Sequence, residues 1–507
     1  MKIAENRAWF SAILLQKIKN KKKCKICLLF LSNCSIIIVD KFSGELCPND
    51  KATLFIINGG DKMAFTKTLA EMEQSVPDSD ARKRLAAFFD EDSFTELDKF
   101  LSADGGVSSV AAGYGTVYGR PVCAFAQDTS VKGGAVDKSA ALKIKRVFEL
   151  AAKSGYPVVG FYDSKGGDIN EGMAVLSAYG DIMKSSAAIS GVVPQIAVVC
   201  GVCAGCAAML AAMADITIIT EKSELFLTAP FNNADGKLEG AGKAENALKS
   251  GVCDIVAKDD DDAVKKAKAL TAVLPMNNLS IAGSDGFSAN DCDITVSLKG
   301  AELVKAIADK DGAIDSVIEL GAKFGDAAYT ALASVNCSTV AFVATSGAKL
   351  TAADCAKIAR FVQFADVFSI PVVTIIDTEG FEGSSAAELS GSVRDCARLA
   401  QIYATSTTGK INLVTGKAFG AAFAAFDSAD ISYAWESAVI APMNPEAGKV
   451  FMGEELETSP FAAAALGMTD GVIAVDETRE RIQSAVLMCM NKRAAASPSR
   501  KHANFAF

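Results

Sequence analysis

Two periodicities of hydrophobic and polar residues alternate along most of the chain. Short apolar runs at residues 122–127, 158–162 and 196–200 have the length and composition of buried strands. Between them, residues 136–154 and 172–185 show the wider apolar spacing of helices. This alternation of strand and helix predicts an α/β fold in which helices cover a sheet.

Other segments predict turns and shorter elements. Residues 64–100 have the pattern of amphipathic helices, with a turn and an N-terminal cap at residues 77–80. A strand is predicted over residues 113–117, and a helix over residues 206–213. Residues 259–262 are all aspartate and predict a solvated acidic loop.

The chain also repeats itself. The stretch KIKRVFELAAKSGYPVVGFYDSKGG begins at Lys143, and KIARFVQFADVFSIPVVTIIDTEGF begins at Lys357, an offset of 214 residues (357 − 143). Asp163 and Asp377 keep that offset, whereas a later Gly/Ala-rich segment recurs around Gly205 and Gly420 with one residue of drift. A repeat of this length indicates an internally duplicated domain, because the units of a solenoid are far shorter.

Domain limits follow from changes in composition. Residues 1–62 combine a lysine-rich run with broken apolar stretches that are too short to span a membrane. Back-translation of the residues just before Met63 contains a ribosome-binding sequence, so we predict that 1–62 is a non-native extension. The polar, glycine-rich stretch 283–293 separates an N-terminal domain, 63–282, from a C-terminal domain, 294–490, and a basic tail follows at 491–507.

Composition excludes several functions. The net charge of −9 argues against a nucleic-acid partner, and a single histidine, His502, argues against histidine-based catalysis or metal binding. Fourteen cysteines, mostly in apolar segments, favour a reducing cytoplasmic location. Cys200, Cys203 and Cys206 have a spacing that occurs in iron–sulfur sites, but no fourth cysteine follows, so we predict packing and no metal.

The candidate chemistry lies where a strand, a glycine turn and a helix follow one another. This arrangement occurs at Gly205-Cys206 and again at Gly420-Ala421. Backbone amides at a helix N-terminus stabilise negative charge, and two such amides aimed at a carbonyl oxygen form an oxyanion hole. For one such turn alone, close packing of helix on sheet would be the better explanation, but the recurrence of the turn favours a pair of anion pockets.

Several stretches resemble one family, the carboxyltransferase (β) subunits of biotin-dependent acyl-CoA carboxylases and decarboxylases, of the propionyl-CoA carboxylase β and glutaconyl-CoA decarboxylase α type. The resemblance covers residues 63–507. The stretches that carry it include RLAAFFDEDSFTELD, GRPVCAFAQDTSVKGG, DSKGGDINEGMAVLSAYGDI, SGVVPQIAVVCGVCAGCAAM, AFGAAFAAF and ISYAWESAVIAPM.

The resemblance implies two tandem crotonase-like domains of the ClpP/crotonase superfamily. The amides of Gly205 and Cys206 would then hold the thioester oxygen of an acyl-CoA, and those of Gly420 and Ala421 the ureido oxygen of biotin. Further residues at positions expected to contact CoA or biotin are Gly133, Gly134, Gly166, Gly167, Phe419 and Ala422.

The resemblance also implies partners. Biotin would arrive on a separate biotin carboxyl carrier protein, because the chain has no biotinylation sequence. A biotin carboxylase or a membrane decarboxylase subunit would complete the system. The chain itself would form a homo-hexamer, a trimer of dimers, located in the cytoplasm or at the face of a membrane decarboxylase complex.

Some residues depart from the family pattern. Asp168 stands where the family has arginine, Cys206 where it has glycine, and Phe423-Ala424 where it has Tyr-Asp, a pair linked to acyl-chain choice. These departures leave open the identity of the acyl-CoA and a non-catalytic scaffold as an alternative. A decarboxylase subunit is the other alternative; a duplicated hydratase is disfavoured, because no paired glutamates follow the glycine turns.

For several side chains the sequence allows two alternative roles. Lys132, Lys138 and Lys143 either meet the phosphates of CoA or form a solvated helix face. Glu171 is predicted to cap or pair locally rather than act as a base. Trp435 and Tyr433 are predicted to belong to the core.

Overall fold

The structure is a computed structural model. It divides into two compact units, Met1–Val76 and Pro77–Phe507. Met63, the predicted start, lies outside the described residues. The described residues are 68–101, 107–229, 240–281, 287–289, 291–312, 316–492, 494, 504 and 506, with the backbone alone of 26–31, 34–39, 55–56 and 314–315.

The first unit contains a small antiparallel sheet and a short helix. Its elements are β1 (Ile26–Leu31), β2 (Cys34–Val39), β3 (Phe55–Ile56) and α1 (Leu69–Gln74). The middle strand is β2, and α1 begins with a capping box in which Thr68 and Glu71 bond to each other's backbone N–H.

The second unit begins with one eight-stranded sheet and its helices. The strands are β4 (Thr95–Glu96), β5 (Val110–Val117), β6 (Arg120–Gln127), β7 (Val158–Ser164), β8 (Gln195–Ala204), β9 (Ile216–Thr220), β10 (Glu224–Phe226) and β11 (Ile255–Ala257). The helices are α2 (Asp80–Phe88), α3 (Lys138–Ser154), α4 (Ala174–Ile189), α5 (Cys206–Ala212), α6 (Ala244–Lys249) and α7 (Asp260–Val273). Single 3₁₀ turns lie at Lys132–Gly134 and Ile169–Glu171.

A second eight-stranded sheet follows a two-stranded ribbon. The strands are β12 (Lys310–Asp311), β13 (Ile314–Asp315), β14 (Ile318–Glu319), β15 (Ala328–Val335), β16 (Ser338–Thr345), β17 (Val372–Thr378), β18 (Lys410–Phe419), β19 (Ile431–Trp435), β20 (Val439–Ala441) and β21 (Gly471–Ile473). The helices are α8 (Gly300–Ile307), α9 (Ala352–Val367), α10 (Ser385–Ser390), α11 (Val393–Thr405), α12 (Gly420–Phe426), α13 (Pro445–Met452), α14 (Pro460–Ala465) and α15 (Thr478–Cys489).

The two large sheets have the same strand order. The first runs β11-β9-β8-β7-β6-β5-β4 and the second β21-β19-β18-β17-β16-β15-β14. In each sheet a short extra strand pairs with the strand that precedes the glycine turn, namely β10 with β8 and β20 with β18. The strands from β6 to β9, and from β16 to β19, are parallel. This topology confirms the predicted α/β fold and agrees with a tandem duplication.

One hydrophobic core cluster spans the two halves of the second unit, and each half also has a core cluster of its own. Ile216 and Leu274 from the first half belong to the same contiguous core as Phe361 and Phe364 on α9. Arg360 on the same helix donates hydrogen bonds to the backbone carbonyl of Asp215 at 3.5 Å and to that of Ala214 at 3.4 Å. Helix α9 therefore docks the second half against the start of β9 in the first sheet.

Three local predictions were wrong in whole or in part. Residues 259–262 are no loop: Asp259 is the N-cap of α7 and accepts the Asp262 N–H at 2.9 Å, because aspartate is favoured at a helix N-cap and in its first turn. Residues 64–100 contain α1 and α2 but also the edge strand β4. The turn at 77–80 is present, yet Ser79 at the N-cap position makes no capping bond.

Candidate functional site

The turns that leave β8 and β18 have the same backbone conformation. Gly205 and Gly420 both have φ of +59°, in the left-handed region that favours glycine. Each begins a short helix, α5 or α12. The structure therefore places the four predicted anion-binding residues, Gly205, Cys206, Gly420 and Ala421, at equivalent positions in the two halves.

The amides of this turn are not all available, which corrects one prediction. The Gly205 N–H donates to the Phe226 carbonyl at 2.9 Å, because β10 pairs with the end of β8. The first amides of α5, starting with Cys206, have no acceptor within the helix. Cys206 and Gly420 are half-buried and Ala421 is exposed, so solvent reaches these helix starts.

The loops after β7 and β17 lie beside the two turns. Gly166 and Gly380 both have φ of +111°. The Ser164 hydroxyl bonds both the N–H and the carbonyl of Gly166, at 3.1 Å each, and Thr378 makes the same pair of bonds to Gly380. A Cβ on Gly166 would lie 3.8 Å from the Ala204 carbonyl oxygen. The structure thus brings Gly166 and Gly167 next to the turn at Gly205.

Gly380 is a site residue that our sequence reasoning missed. A Cβ on it would lie 3.6 Å from the Phe419 carbonyl oxygen, as for Gly166 and Ala204 in the first half. The repeat contains the signal that could have found it, since Gly380 is 214 residues beyond Gly166 (380 − 166).

The other predicted contact residues have supporting positions. The carbonyl of Gly133 accepts the Lys165 N–H at 3.3 Å, and a Cβ on Gly134 would overlap the backbone carbonyl of Asp163. These two glycines therefore lie against the loop after β7. Phe419 and Ala422 are 4% and 0% exposed, so their side chains belong to the core and leave only backbone to face a ligand.

Asp168, the departure from the family's arginine, has a local role. It is 5% exposed, and its carboxylate accepts the Asn170 N–H at 3.0 Å and the Lys132 ammonium at 3.0 Å. The hydrogen bond from Lys132 is the main reason that the pKa of Asp168 lies below its usual range. The negative charge at position 168 therefore caps a turn and is balanced within the loop.

Both readings of Lys143 were wrong. Its side chain is 1% exposed and lies 3.4 Å from Glu96, so it is neither solvated nor available to a phosphate. Burial lowers its pKa, and Glu96 opposes that shift. The reading of Glu171 is confirmed, because its carboxylate accepts the Lys138 N–H at the start of α3 at 3.0 Å. Trp435 is 1% exposed and donates to Thr478, which confirms its place in the core.

Cys200 and Cys203, near the first turn, lie in surroundings that disfavour the thiolate. Burial raises the pKa of Cys200 to about 12 and that of Cys203 further still. A metal ligand is a thiolate, which such surroundings disfavour. Within the described ranges, no group of three or more histidine, cysteine, aspartate or glutamate side chains is arranged to hold a metal ion.

The helices were also compared with the length and hydropathy of membrane-spanning segments. Over the part of the chain that is described, none combines the length and the apolar character that a bilayer crossing requires.

Comparison with known proteins places this geometry in a family. Residues 79–452 match the carboxyl transferase domain. The chain is 32% identical to the propionyl-CoA carboxylase beta chain of Saccharopolyspora erythraea, over 88% of this chain and 93% of that protein. It is also 32% identical to the methylmalonyl-CoA decarboxylase subunit alpha of Propionigenium modestum, over 84% and 92% of the two chains.

A solved structure shows the same fold. The crystal structure of transcarboxylase 12S with hydrolysed methylmalonyl-coenzyme A bound superposes with a TM-score of 0.78 at 33% identity, covering 87% of this chain and 94% of that one. The domain match, the relatives and the shared fold agree with the paired glycine turns. The chain belongs to the carboxyl transferase domain family.

Proposed function

We propose that this protein is a carboxyltransferase that moves a carboxyl group between biotin on a separate carrier protein and the α-carbon of an acyl-CoA. The observation that carries the proposal is the repeated geometry of the turns at Gly205 and Gly420 and of the adjoining loops at Gly166 and Gly380. The family supports it, since its relatives act on propionyl-CoA and methylmalonyl-CoA.

The first half would hold the acyl-CoA. The Cys206 amide, at the start of α5, would donate to the thioester oxygen as negative charge develops there. Among the described residues, the Gly167 N–H has no acceptor, and we assign it as the second donor in place of Gly205. Each such donor contributes about 2.7–4 kcal/mol to transition-state stabilisation.

The second half would face biotin. The Ala421 amide is equivalent to that of Cys206, and the Phe381 N–H, which also has no described acceptor, is equivalent to that of Gly167. Carboxybiotin would supply the transferable carboxyl group when it is bound. The amides of this chain would hold the ureido oxygen, and no side-chain acid is required at either turn.

The assembly belongs to the same proposal. Transcarboxylase 12S assembles as a hexamer that forms the core of a multienzyme complex. We infer that copies of this chain assemble similarly, with the first half of one copy facing the second half of another. A biotin carboxyl carrier protein and a biotin carboxylase would complete the system. Light scattering of the purified protein tests the hexamer, and a monomer at micromolar concentration would contradict it.

The activity is tested directly with purified protein, free biotin and a panel of carboxylated acyl-CoAs, among them malonyl-CoA and methylmalonyl-CoA. We expect biotin-dependent loss of the carboxyl group from at least one of them, measured by mass spectrometry of the CoA products. Absence of turnover with every member, from a folded hexamer, would overturn the proposal and favour a non-catalytic scaffold.

A second candidate is the corresponding subunit of a sodium-pumping acyl-CoA decarboxylase. The 32% identity to the Propionigenium modestum decarboxylase subunit favours it as strongly as the carboxylase beta chain favours the first candidate. The two run similar chemistry in opposite directions. A gene for a polytopic membrane subunit beside the gene for this chain would select the decarboxylase, and a gene for a biotin carboxylase would select the carboxylase.

A further inference from the structure

Both halves contain the same irregularity in strand pairing just before the glycine turn. In the first half the pairing of β7 with β8 is regular up to Tyr162 and Val199, and it resumes at Ser164 and Cys203. One residue of β7, Asp163, therefore stands opposite three residues of β8. In the second half Asp377 of β17 stands in the same way opposite three residues of β18, between the pairs Ile376–Val414 and Thr378–Ala418.

The two aspartates bond to the backbone of these bulges. The Lys417 N–H donates to Asp377 Oδ1 at 3.0 Å. In the first half the Val202 N–H is one of the groups that lower the pKa of the Asp163 carboxyl. Each bulge also contains a glycine, Gly201 or Gly416, whose Cβ would overlap the aspartate carboxylate. Aspartate and glycine thus form one interlocking pair per half.

Each bulge leads straight into the anion-binding turn. Val202 is three residues before Gly205, and Lys417 is three residues before Gly420. We propose that Asp163 and Asp377 are positioning residues, which fix the bulged end of β8 and β18 and thereby set the direction of the amides that follow. Asp163 would act on the acyl-CoA side and Asp377 on the biotin side. This assignment of sides rests on the function proposed above.

An uncompensated carboxylate next to an anion pocket would repel the bound anion. In each half a cationic side chain contacts the aspartate and balances its charge. Arg84 of α2 donates to Asp163 Oδ2 at 3.1 Å and also to Asp260 at 2.7 Å. Lys299, the N-cap residue of α8, lies 2.9 Å from Asp377 Oδ2. The cation differs between the halves while the aspartate stays, so the shared element is the packing of the carboxylate against the glycine of the bulge.

The same bonds argue against a general base. Asp377 is 3% exposed, with one oxygen on the Lys417 amide and the other on Lys299. Asp163 accepts a hydrogen bond from Arg84 at 3.1 Å, so this carboxyl too is held by a neighbour. Burial raises its pKa, and Arg84 opposes that rise. A residue engaged in this way positions other groups, whereas a base must reach the proton that it removes.

The chain supplies matched controls. At the opposite end of β8, Asp215 accepts the Gln195 N–H at 2.8 Å, and at the opposite end of β18, Asp430 accepts the Lys410 N–H at 2.8 Å. Asp215→Ala and Asp430→Ala therefore remove an equivalent carboxylate-to-backbone bond from the same strands, far from the turns. They report how the removal of such a bond changes stability by itself.

The kinetic experiment compares Asp163→Ala and Asp377→Ala with these controls at saturating and limiting concentrations of each substrate. Displacing a reacting group by about 1 Å costs about 100-fold in rate, so we expect a loss of about 10- to 100-fold in kcat/KM. Asp163→Ala should lose it for the acyl-CoA and Asp377→Ala for free biotin, while the controls stay within about twofold of wild type. Equal losses in test and control variants would overturn the proposal, as would losses on the opposite substrates.

Two conservative variants separate positioning from proton transfer. Asp163→Asn and Asp377→Asn retain an oxygen that can accept the bulge amide, so they should keep more activity than the alanine variants and an unchanged pH profile. Loss of the acid limb of the profile in an asparagine variant would identify a general base and overturn the positioning role.

A readout independent of activity distinguishes failure of this proposal from failure of the proposed function. Hydrogen exchange of peptides covering 200–208 and 415–423 should accelerate in Asp163→Ala and Asp377→Ala respectively, and not in Asp215→Ala or Asp430→Ala. Unchanged exchange in the test variants overturns positioning even if the enzyme is active. If the wild-type protein is inactive, accelerated exchange in the test variants still supports the positioning role, although the proposed function then fails.

Discussion

At the scale of single residues, the site is shaped by glycines, which have no side chain, and by charged side chains that are already bonded to a partner. Gly201 leaves room for the Asp163 carboxylate, and Gly205 adopts a φ of +59°. Asp168 looks like a charge reversal in the sequence, yet its carboxylate is balanced by Lys132 in the folded loop. The effect of a residue type at one position therefore depends on the partner that the fold places beside it.

Gly201→Ala tests the room beside Asp163. Its Cβ would overlap the carboxylate, and overpacking of this kind costs about 1–3 kcal/mol in the free energy of unfolding. Gly180→Ala is the control, because Gly180 lies within α4 and no atom beyond its chain neighbours and the local helix backbone lies within 4 Å of its Cβ position. Removing a helical glycine should stabilise by about 0.5–1 kcal/mol. Urea unfolding of both variants measures the difference, and similar effects of the same sign would contradict the packing argument.

Asp168→Arg restores the family's arginine and tests whether Lys132 compensates for the aspartate. We expect a loss of about 1–3 kcal/mol in the free energy of unfolding, because the turn loses its cap and a second cation meets Lys132. The charge-swapped double variant Lys132→Asp/Asp168→Arg should recover part of that loss. Additive effects in this double-mutant cycle would show that the two side chains are independent.

At the scale of elements, the residues at a helix N-terminus determine where the helix begins, which the hydrophobic pattern alone does not. Four consecutive aspartates begin α7, where the first acts as cap and the rest lie at the positive end of the helix. Ser79 has a favourable residue type for a cap, but its hydroxyl is buried without a partner among the described residues. Residue type thus allows a cap, and local backbone geometry decides whether the bond forms.

Asp259→Ala and Ser79→Ala make that distinction measurable. Removal of the Asp259 cap should cost about 1 kcal/mol in the free energy of unfolding. Ser79→Ala should be neutral or slightly stabilising, because it removes a buried hydroxyl that makes no bond. Thermal unfolding followed by circular dichroism compares the two, and an equal loss in both would refute the assignment of the caps.

At the scale of the whole molecule, the two halves depend on contacts that the repeat does not reproduce. Asp215 lies where α9 docks on the first sheet, under Arg360. Burial is the main reason that the pKa of Asp215 rises to about 6, and the neighbouring Asp254 adds to it, while the Gln195 amide and Arg360 oppose the rise. The equivalent residue of the second half, Asp430, is exposed and pairs with Lys492.

This burial predicts a pH dependence of stability. The folded-state pKa of Asp215 exceeds the ordinary value, so its contribution is fully present below about pH 4 and is lost as the pH rises through about 6. Asp215→Asn should therefore unfold with a free energy up to about 3 kcal/mol higher than wild type at pH 7, and with no gain near pH 4. Urea unfolding at both pH values measures this, with Asp430→Asn as control; an equal gain in the control would contradict the burial argument.

The sequence by itself determined the α/β class, the duplication and the two glycine turns. Each of these rests on local periodicity, on a repeat at constant offset, or on a backbone conformation that glycine adopts easily. Gly380 was within reach of the same reasoning, because it is the repeat partner of Gly166.

Only the tertiary structure decided which backbone amides remain available and which charges are neutralised. The Gly205 amide is used by β10, Lys143 is buried against Glu96 47 residues away, and Asp168 is balanced by Lys132 36 residues away. The role of Asp163 needed the bulge between β7 and β8. Hydrogen bonds and ion pairs between distant segments depend on strand register and on burial, which no local pattern in the chain specifies.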